Sequence, residues 1–137
     1  RDVLGSRGLG DVYKRQNNVT IKFPWKLVIG DHVWLGENVW IDNLDCVTIG
    51  NHVCISQGAL LLTGNHDYKI SSMPYRNAPI VLEDGCWIGA KCTVCAGVTV
   101  CENAILTVGS VASKKMEASG IYQGVPAKKI RERIIKE

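Results

Sequence analysis

The chain has 137 residues, 46% of them hydrophobic and 21% charged, with a formal net charge of +3. This size fits one globular domain, and so small a charge does not by itself argue for a nucleic-acid partner, so none is expected. Aromatic residues are not interleaved with basic ones, no apolar run approaches membrane-spanning length, and no signal-peptide pattern appears.

Residues 1–16 (RDVLGSRGLGDVYKRQ) have three glycines, several basic residues and no usable period. The stretch resembles translated adapter sequence, so a non-native or disordered arm is expected here and the domain is expected over 17–125. If the arm is foreign, the native N-terminus is missing.

From Val19 onward an aliphatic residue recurs every six positions. It stands at Ile29, Leu35 and Ile41, then, after two extra residues, at Ile49, Ile55 and Leu61, and again at Leu82, Ile88, Val94, Val100 and Leu106. The second place of each rung is mostly Gly, Asp, Glu or Ser. The fifth is small or β-branched: Val33, Val39, Val53, Ala59. A period of six suits neither a helix nor a single alternating strand. It suits a short strand plus a turn, three rungs to a coil, with each coil burying its aliphatic residues on the next. An all-β solenoid is expected. Cys86 and Cys92 take the inward fifth place as small hydrophobes. Cys92-x-x-Cys95 has no second pair to complete a zinc site, and no metal is expected. The six cysteines follow the repeat and read as reduced thiols in a cytoplasmic protein.

The ladder breaks at Thr63-Gly64-Asn65-His66-Asp67-Tyr68 and resumes near Ile80. Residues 67–79, with Pro74 and Pro79, are predicted to form an extruded loop with His66 at its base. A histidine there can exchange a proton with a hydroxyl near neutral pH. After the last rung, residues 126–137 carry Pro126 and the i, i+4 pair Ile130 and Ile134, which predicts a short amphipathic C-terminal α-helix.

The rungs resemble the hexapeptide-repeat, left-handed parallel β-helix family. The words Asp42-Asn-Leu-Asp, Ile49-Gly-Asn-His-Val-Cys-Ile-Ser-Gln-Gly-Ala, Thr63-Gly-Asn-His-Asp-Tyr, Trp87-Ile-Gly-Ala-Lys and Gly124-Val-Pro-Ala-Lys are similar to the colanic-acid-type acetyltransferases of the maltose/galactoside O-acetyltransferase group. That resemblance implies an acetyl-CoA-dependent O-acetyltransferase acting on a sugar destined for exopolysaccharide. It implies a homotrimer with active sites between subunits. His66 matches the catalytic base. Asn43 matches an asparagine that orients the acceptor, and Asn65 and Asp67 beside His66 are expected to bind substrate. Trp87 matches a residue lining the pantetheine channel, and Gly89 and Ala90 match backbone contacts to the cofactor. Ser113 and Lys114 stand near the expected nucleotide end of CoA, and Lys128 and Arg131 near its phosphates. Two other functions share the fold or need less than catalysis. A metal-dependent hydratase of the γ-carbonic-anhydrase kind needs a closely spaced histidine pair, which His32, His52 and His66 lack. A scaffold or inactive fragment would form the solenoid without binding a thioester.

Overall fold

The computed structural model describes residues 13–137. Three short strands make each turn of the chain. The first coil holds β1 (Tyr13–Arg15), β2 (Thr20–Ile21) and β3 (Leu27–Ile29), with a 3-10 turn at Pro24–Lys26. The second holds β4 (Val33–Leu35), β5 (Trp40–Asp42) and β6 (Val47–Ile49). The third holds β7 (Cys54–Ile55), β8 (Leu60–Leu62) and β9 (Ile80–Leu82). The fourth holds β10 (Trp87–Ile88), β11 (Thr93–Val94) and β12 (Thr99–Val100). The fifth holds β13 (Ile105–Leu106) and β14 (Val111–Ala112), and closes with a parallel bridge from Met116 to Val100. A final pair, β15 (Gly120–Gly124) and β16 (Ala127–Glu132), ends the chain.

The strands sort into three parallel sheets, one per side of a triangular prism. Face A stacks β1, β4, β7, β10, β13 and β15, face B stacks β2, β5, β8, β11 and β14, and face C stacks β3, β6, β9 and β12. Register is in step. Ile29 lies under Ile49, Ile49 under Leu82 and Leu82 under Val100. The predicted aliphatic column is therefore the core, and Ile29, Leu35, Ile41, Ile49, Ile55, Leu61, Leu82, Ile88, Val94, Val100 and Leu106 are all buried. Each such side chain contributes roughly 1.5–3 kcal/mol. At the corners the chain turns through left-handed residues: His32, Asn38, His52, Lys91 and Asn103 all have φ between 57° and 63°. His32 and His52 are thus turn residues, and their rings stack with centroids 4.9 Å apart.

Two expectations are corrected. The C-terminal segment is not a helix. Residues 127–132 run back along β15 as the antiparallel strand β16, around a turn at Val125–Pro126. A helix there would have needed an apolar surface for Ile130 and Ile134, which are both exposed. Strand pairing instead satisfies the free backbone edge of β15. Arg133 fastens the end, its N–H donating to Ser119 O and its Nη1 to Gly85 O (2.8 Å) and Asn103 O (3.2 Å). The expected arm over 1–16 lies outside the described residues as far as residue 12. Its last part, however, is β1, which pairs with β4 along Tyr13–Arg15. Pairing of this kind uses backbone groups alone, so it needs no repeat in the side chains.

All six cysteines are unpaired thiols. Burial pushes the Cys86 thiol up from 9.0 to about 12, outweighing its own backbone hydrogen bond. The unfolded thiol ionises near its ordinary value while the native one keeps its proton. Its contribution to stability is therefore complete below pH 9.0 and is lost as pH rises towards 12. Urea unfolding across that range should show stability falling with pH, and Cys86→Ala should flatten the slope relative to wild type. In the native protein iodoacetamide should modify exposed Cys46 and spare Cys86 until the chain unfolds.

Candidate functional site

After β8 the chain leaves the prism at the vertex between faces B and C. Thr63 anchors the exit: its buried hydroxyl donates to Asp42 O (2.9 Å) and accepts from Asp45 N (3.0 Å). The extruded segment is an ordered antiparallel hairpin. Ala78 N donates to Thr63 O, Arg76 N to Asn65 O and Asp67 N to Pro74 O, at 3.1, 2.7 and 2.9 Å. Asn65 Oδ1 accepts from His66 N, and Asp67 Oδ1 accepts from Lys69 N. Two of the three residues expected at the substrate, Asn65 and Asp67, thus shape the backbone around His66.

His66 is exposed and bridged to Tyr75, with the two rings stacked at 5.0 Å. Its Nδ1 lies 2.7 Å from Met73 O. A carbonyl only accepts, so Nδ1 carries a hydrogen, and in the neutral ring Nε2 holds the lone pair. Met73 presents that carbonyl from a left-handed conformation, φ 53°, unusual for its side chain. The arrangement fixes one tautomer of an imidazole free to take a proton.

A second feature occupies the vertex between faces A and B. A groove of about 430 Å³ is lined by Trp87, Gly89 and Ala90 together with Ser56, Gln57, Ile105, Leu106, Thr107 and Val108. Trp87 is fixed by an Nε1–H bond to Ser56 Oγ (2.8 Å). Three residues expected to meet the cofactor therefore converge. Ser56, Gln57, Thr107 and Val108 were not anticipated, though the rung Leu106-Thr-Val-Gly lies directly above Ile88-Gly-Ala-Lys in register.

The vertices differ in how their turn amides are used. Between faces C and A, neighbouring side chains cap three of them, with Asp31 N donating to Asn51 Oδ1, Asn51 N to Asp84 Oδ1 and Glu102 N to Glu83 Oε1, while Asp84 N has no partner among the described residues. In the groove, the N–H groups of Gln57, Ala90 and Val108 have no partner among the described residues. Glycine keeps two of them uncovered. A Cβ at Gly36 would lie 2.6 Å from Gln57 N, and one at Gly89 would lie 2.9 Å from Val108 N and 2.7 Å from Leu106 O. A file of open donors beside apolar walls suits an extended ligand with amide carbonyls.

Cations stand at the C-terminal end of this file. Lys128 opposes Gln123 and Arg131 opposes Ile121, and a bulge between them puts both on one side of β16. That side continues the outward column Trp87, Ile105, Ile121. Lys129 instead pairs with Glu132. Ser113 and Lys114 do not join them. They follow β14 and lie on the His66 vertex, two coils above the hairpin. Asn43 is 0% exposed, and its amide is spent on Phe23, accepting from its N–H (2.8 Å) and donating to its carbonyl (2.7 Å). The side chain therefore clasps the preceding coil at Phe23. One chain thus places its two candidate features on different vertices, His66 on one and the groove of open amides on another. The three histidines divide likewise, His32 and His52 at the C–A vertex and His66 at the B–C vertex.

Comparison with known proteins gives a consistent picture. The family model described as the hexapeptide repeat of succinyl-transferase matches residues 79–111. A protein of Escherichia coli (strain K12), provisionally named a colanic acid biosynthesis acetyltransferase, is 37% identical over 117 residues, covering 85% of this chain and 64% of that one. The galactoside O-acetyltransferase of the same strain is 29% identical over 125 residues, covering 84% and 61%. The crystal structure of a hexapeptide-repeat-containing acetyltransferase from Vibrio cholerae superposes with a TM-score of 0.83 at 28% identity, over 88% of this chain and 70% of that one. A structure of that acetyltransferase complexed with acetyl coenzyme A aligns with a TM-score of 0.85 at 24% identity, over 93% and 70%. The chain spans 61–64% of the length of the two curated relatives.

The packing at Gly89 gives a direct check on the groove. Gly89→Ala must push the coil above by several tenths of an ångström against backbone, so it should destabilise the fold by about 1–3 kcal/mol. Thermal unfolding measures this. An unchanged midpoint would mean that the coils give way more easily than their register implies.

Proposed function

We propose that the chain belongs to the hexapeptide-repeat, left-handed β-helix acyltransferase family and is an O-acetyltransferase moving the acetyl group of acetyl-CoA onto a sugar hydroxyl, with His66 as the general base. The observation that carries this reading is the bond from Nδ1 to Met73 O, which leaves Nε2 as the proton acceptor. The names of the colanic acid and galactoside relatives support a sugar acceptor and, more narrowly, a step in exopolysaccharide assembly. Six free thiols support a reducing, cytoplasmic setting.

In the proposed reaction the acceptor hydroxyl gives its proton to His66 Nε2 as its oxygen attacks the thioester carbonyl. The developing oxyanion is stabilised by an open backbone N–H of the groove. The C–S bond then breaks, and the leaving sulfur recovers the proton from the imidazolium. Transfer is direct, with no acyl-enzyme. The open amides of Gln57, Ala90 and Val108 would hold the pantetheine arm along the file, against the indole of Trp87. Lys128 and Arg131 would take the phosphates.

The two half-sites explain why we also propose a homotrimer. A threefold arrangement sets the B–C vertex of one prism against the A–B vertex of its neighbour. It would bring His66, Ser113 and Lys114 of one chain to the groove and cations of the next.

The test is thiol release from acetyl-CoA in the presence of a panel of simple sugars, with sedimentation of the same samples. His66→Ala should lower turnover by roughly 10²–10⁴-fold and leave a trimeric mass unchanged. Equal rates for variant and wild type would remove His66 from the chemistry. A monomeric, active wild type would overturn the shared site.

A further inference from the structure

Asn43 spends a wholly buried amide on the backbone of Phe23. Lys26 Nζ adds a second tie, donating to Leu44 O at 2.8 Å. The 3-10 turn that these bonds fasten, Pro24–Lys26, buries none of its residues. Rigid anchoring of a segment that adds nothing to the core calls for another use. What the turn presents is aromatic and cationic. Trp25 is 63% exposed, its ring 5.0 Å from that of Phe23. The ammonium groups of Lys22 and Lys26 each lie 5.8 Å from the Phe23 ring.

The turn follows β2 and precedes β3, so it lies on the B–C vertex that two coils later carries the His66 hairpin. Contact is continuous between them. Leu44, on the coil between, lies beneath Gly64, its Cδ1 3.2 Å from where a Cβ would stand. Two strand spacings place the turn roughly 10 Å from the hairpin base along the vertex, the reach of two linked sugar rings.

We infer that the Phe23–Lys26 turn is an acceptor subsite, in which the indole of Trp25 stacks on a ring of an acidic oligosaccharide whose reacting hydroxyl lies at His66. This rests on the sugar-acceptor reading above. An indole face accepts the apolar C–H side of a pyranose, as it does other flat apolar partners. Lys22 and Lys26 take the carboxylate of a uronic acid. Asn43 then acts as a positioning residue: it touches the acceptor only through the turn it holds. A second copy of this chain is the rival occupant of the exposed tryptophan, since the threefold arrangement proposed above sets a neighbour's A–B vertex against this one, and sedimenting mass separates the two.

The test uses two acceptors, glucuronic acid and a tetrasaccharide of alternating glucuronic acid and N-acetylglucosamine, with maltotetraose as the neutral control. Wild type should favour the acidic tetrasaccharide in KM. Trp25→Ala should cut that preference about tenfold with the KM for acetyl-CoA unchanged, and Trp25→Phe should restore most of it. Lys22→Gln should narrow the gap between the acidic tetrasaccharide and maltotetraose. An equal effect of Trp25→Ala on the single sugar and the tetrasaccharide would overturn the subsite. So would a change in sedimenting mass, which would assign the turn to an interface between copies. If wild type acetylates none of these, the acceptor proposed above is wrong and the subsite is judged by binding alone. Calorimetry with the acidic tetrasaccharide on His66→Ala should then show binding that Trp25→Ala abolishes. Absent or unaltered binding would overturn it.

Discussion

The spacing between coils governs everything else in this molecule. Parallel strands pair at about 4.8 Å, and a coil can stack only if it keeps that distance at its corners as well as along its faces. Straight stretches are easy, since any residue can hydrogen-bond through its backbone. Corners are not. The chain must turn through roughly 120° without lifting off the coil below. It does so with a left-handed residue at His32, Asn38, His52, Lys91 or Asn103. It leaves out a side chain where the next coil presses close, as at Gly36 and Gly89. The period of six, the three faces and the buried column all follow from repeating that corner. Two of the groove's open amides follow as well, since Gly36 and Gly89 put no Cβ against Gln57 N and Val108 N.

Much of the fold was legible because the constraint repeats. Ile29, Ile49, Leu82 and Val100 were spaced by the sequence and are stacked by the structure in one register. The two ends were harder to read because repetition fails there. Ile130 and Ile134 fit a helical stripe, but the exposed backbone edge of β15 offered a partner that periodicity does not encode. Tyr13–Arg15 joined β4 for the same reason. In both cases unsatisfied backbone groups at the limit of a sheet outweighed the side-chain pattern.

The candidate site was legible in its parts and not in its division. The break in the ladder singled out His66, and Trp87, Gly89 and Ala90 meet in one groove as their adjacent rung positions required. Which vertex each occupied could not be read without knowing how many residues each face consumes, and the two extra residues before Ile49 obscure that count. The pairing of Lys128 with Arg131 depends on a bulge that has no sequence signature here. Asn43 shows another limit. A polar residue at a rung position reads equally well as a contact to a ligand and as a clasp on its neighbour. Only its burial, with both amide atoms on Phe23, separates the two.

The hairpin itself answers a problem the solenoid creates. Along a coil most carbonyls lie parallel to the prism axis, some towards the coil before and some towards the coil after, and are taken by an N–H there. A histidine at a corner therefore finds no carbonyl at its side. His32 and His52 illustrate the outcome, two imidazoles stacked on each other with neither ring oriented by a backbone oxygen of the described residues. To hold a tautomer, the chain has to leave the ladder and pair with itself in another direction. The hairpin from Thr63 to Ala78 does this, and Met73, in a backbone conformation that its side chain disfavours, turns its carbonyl onto His66 Nδ1. Interruption of the repeat and orientation of the imidazole are thus one structural event, and for that reason the loss of periodicity in the sequence singled out His66.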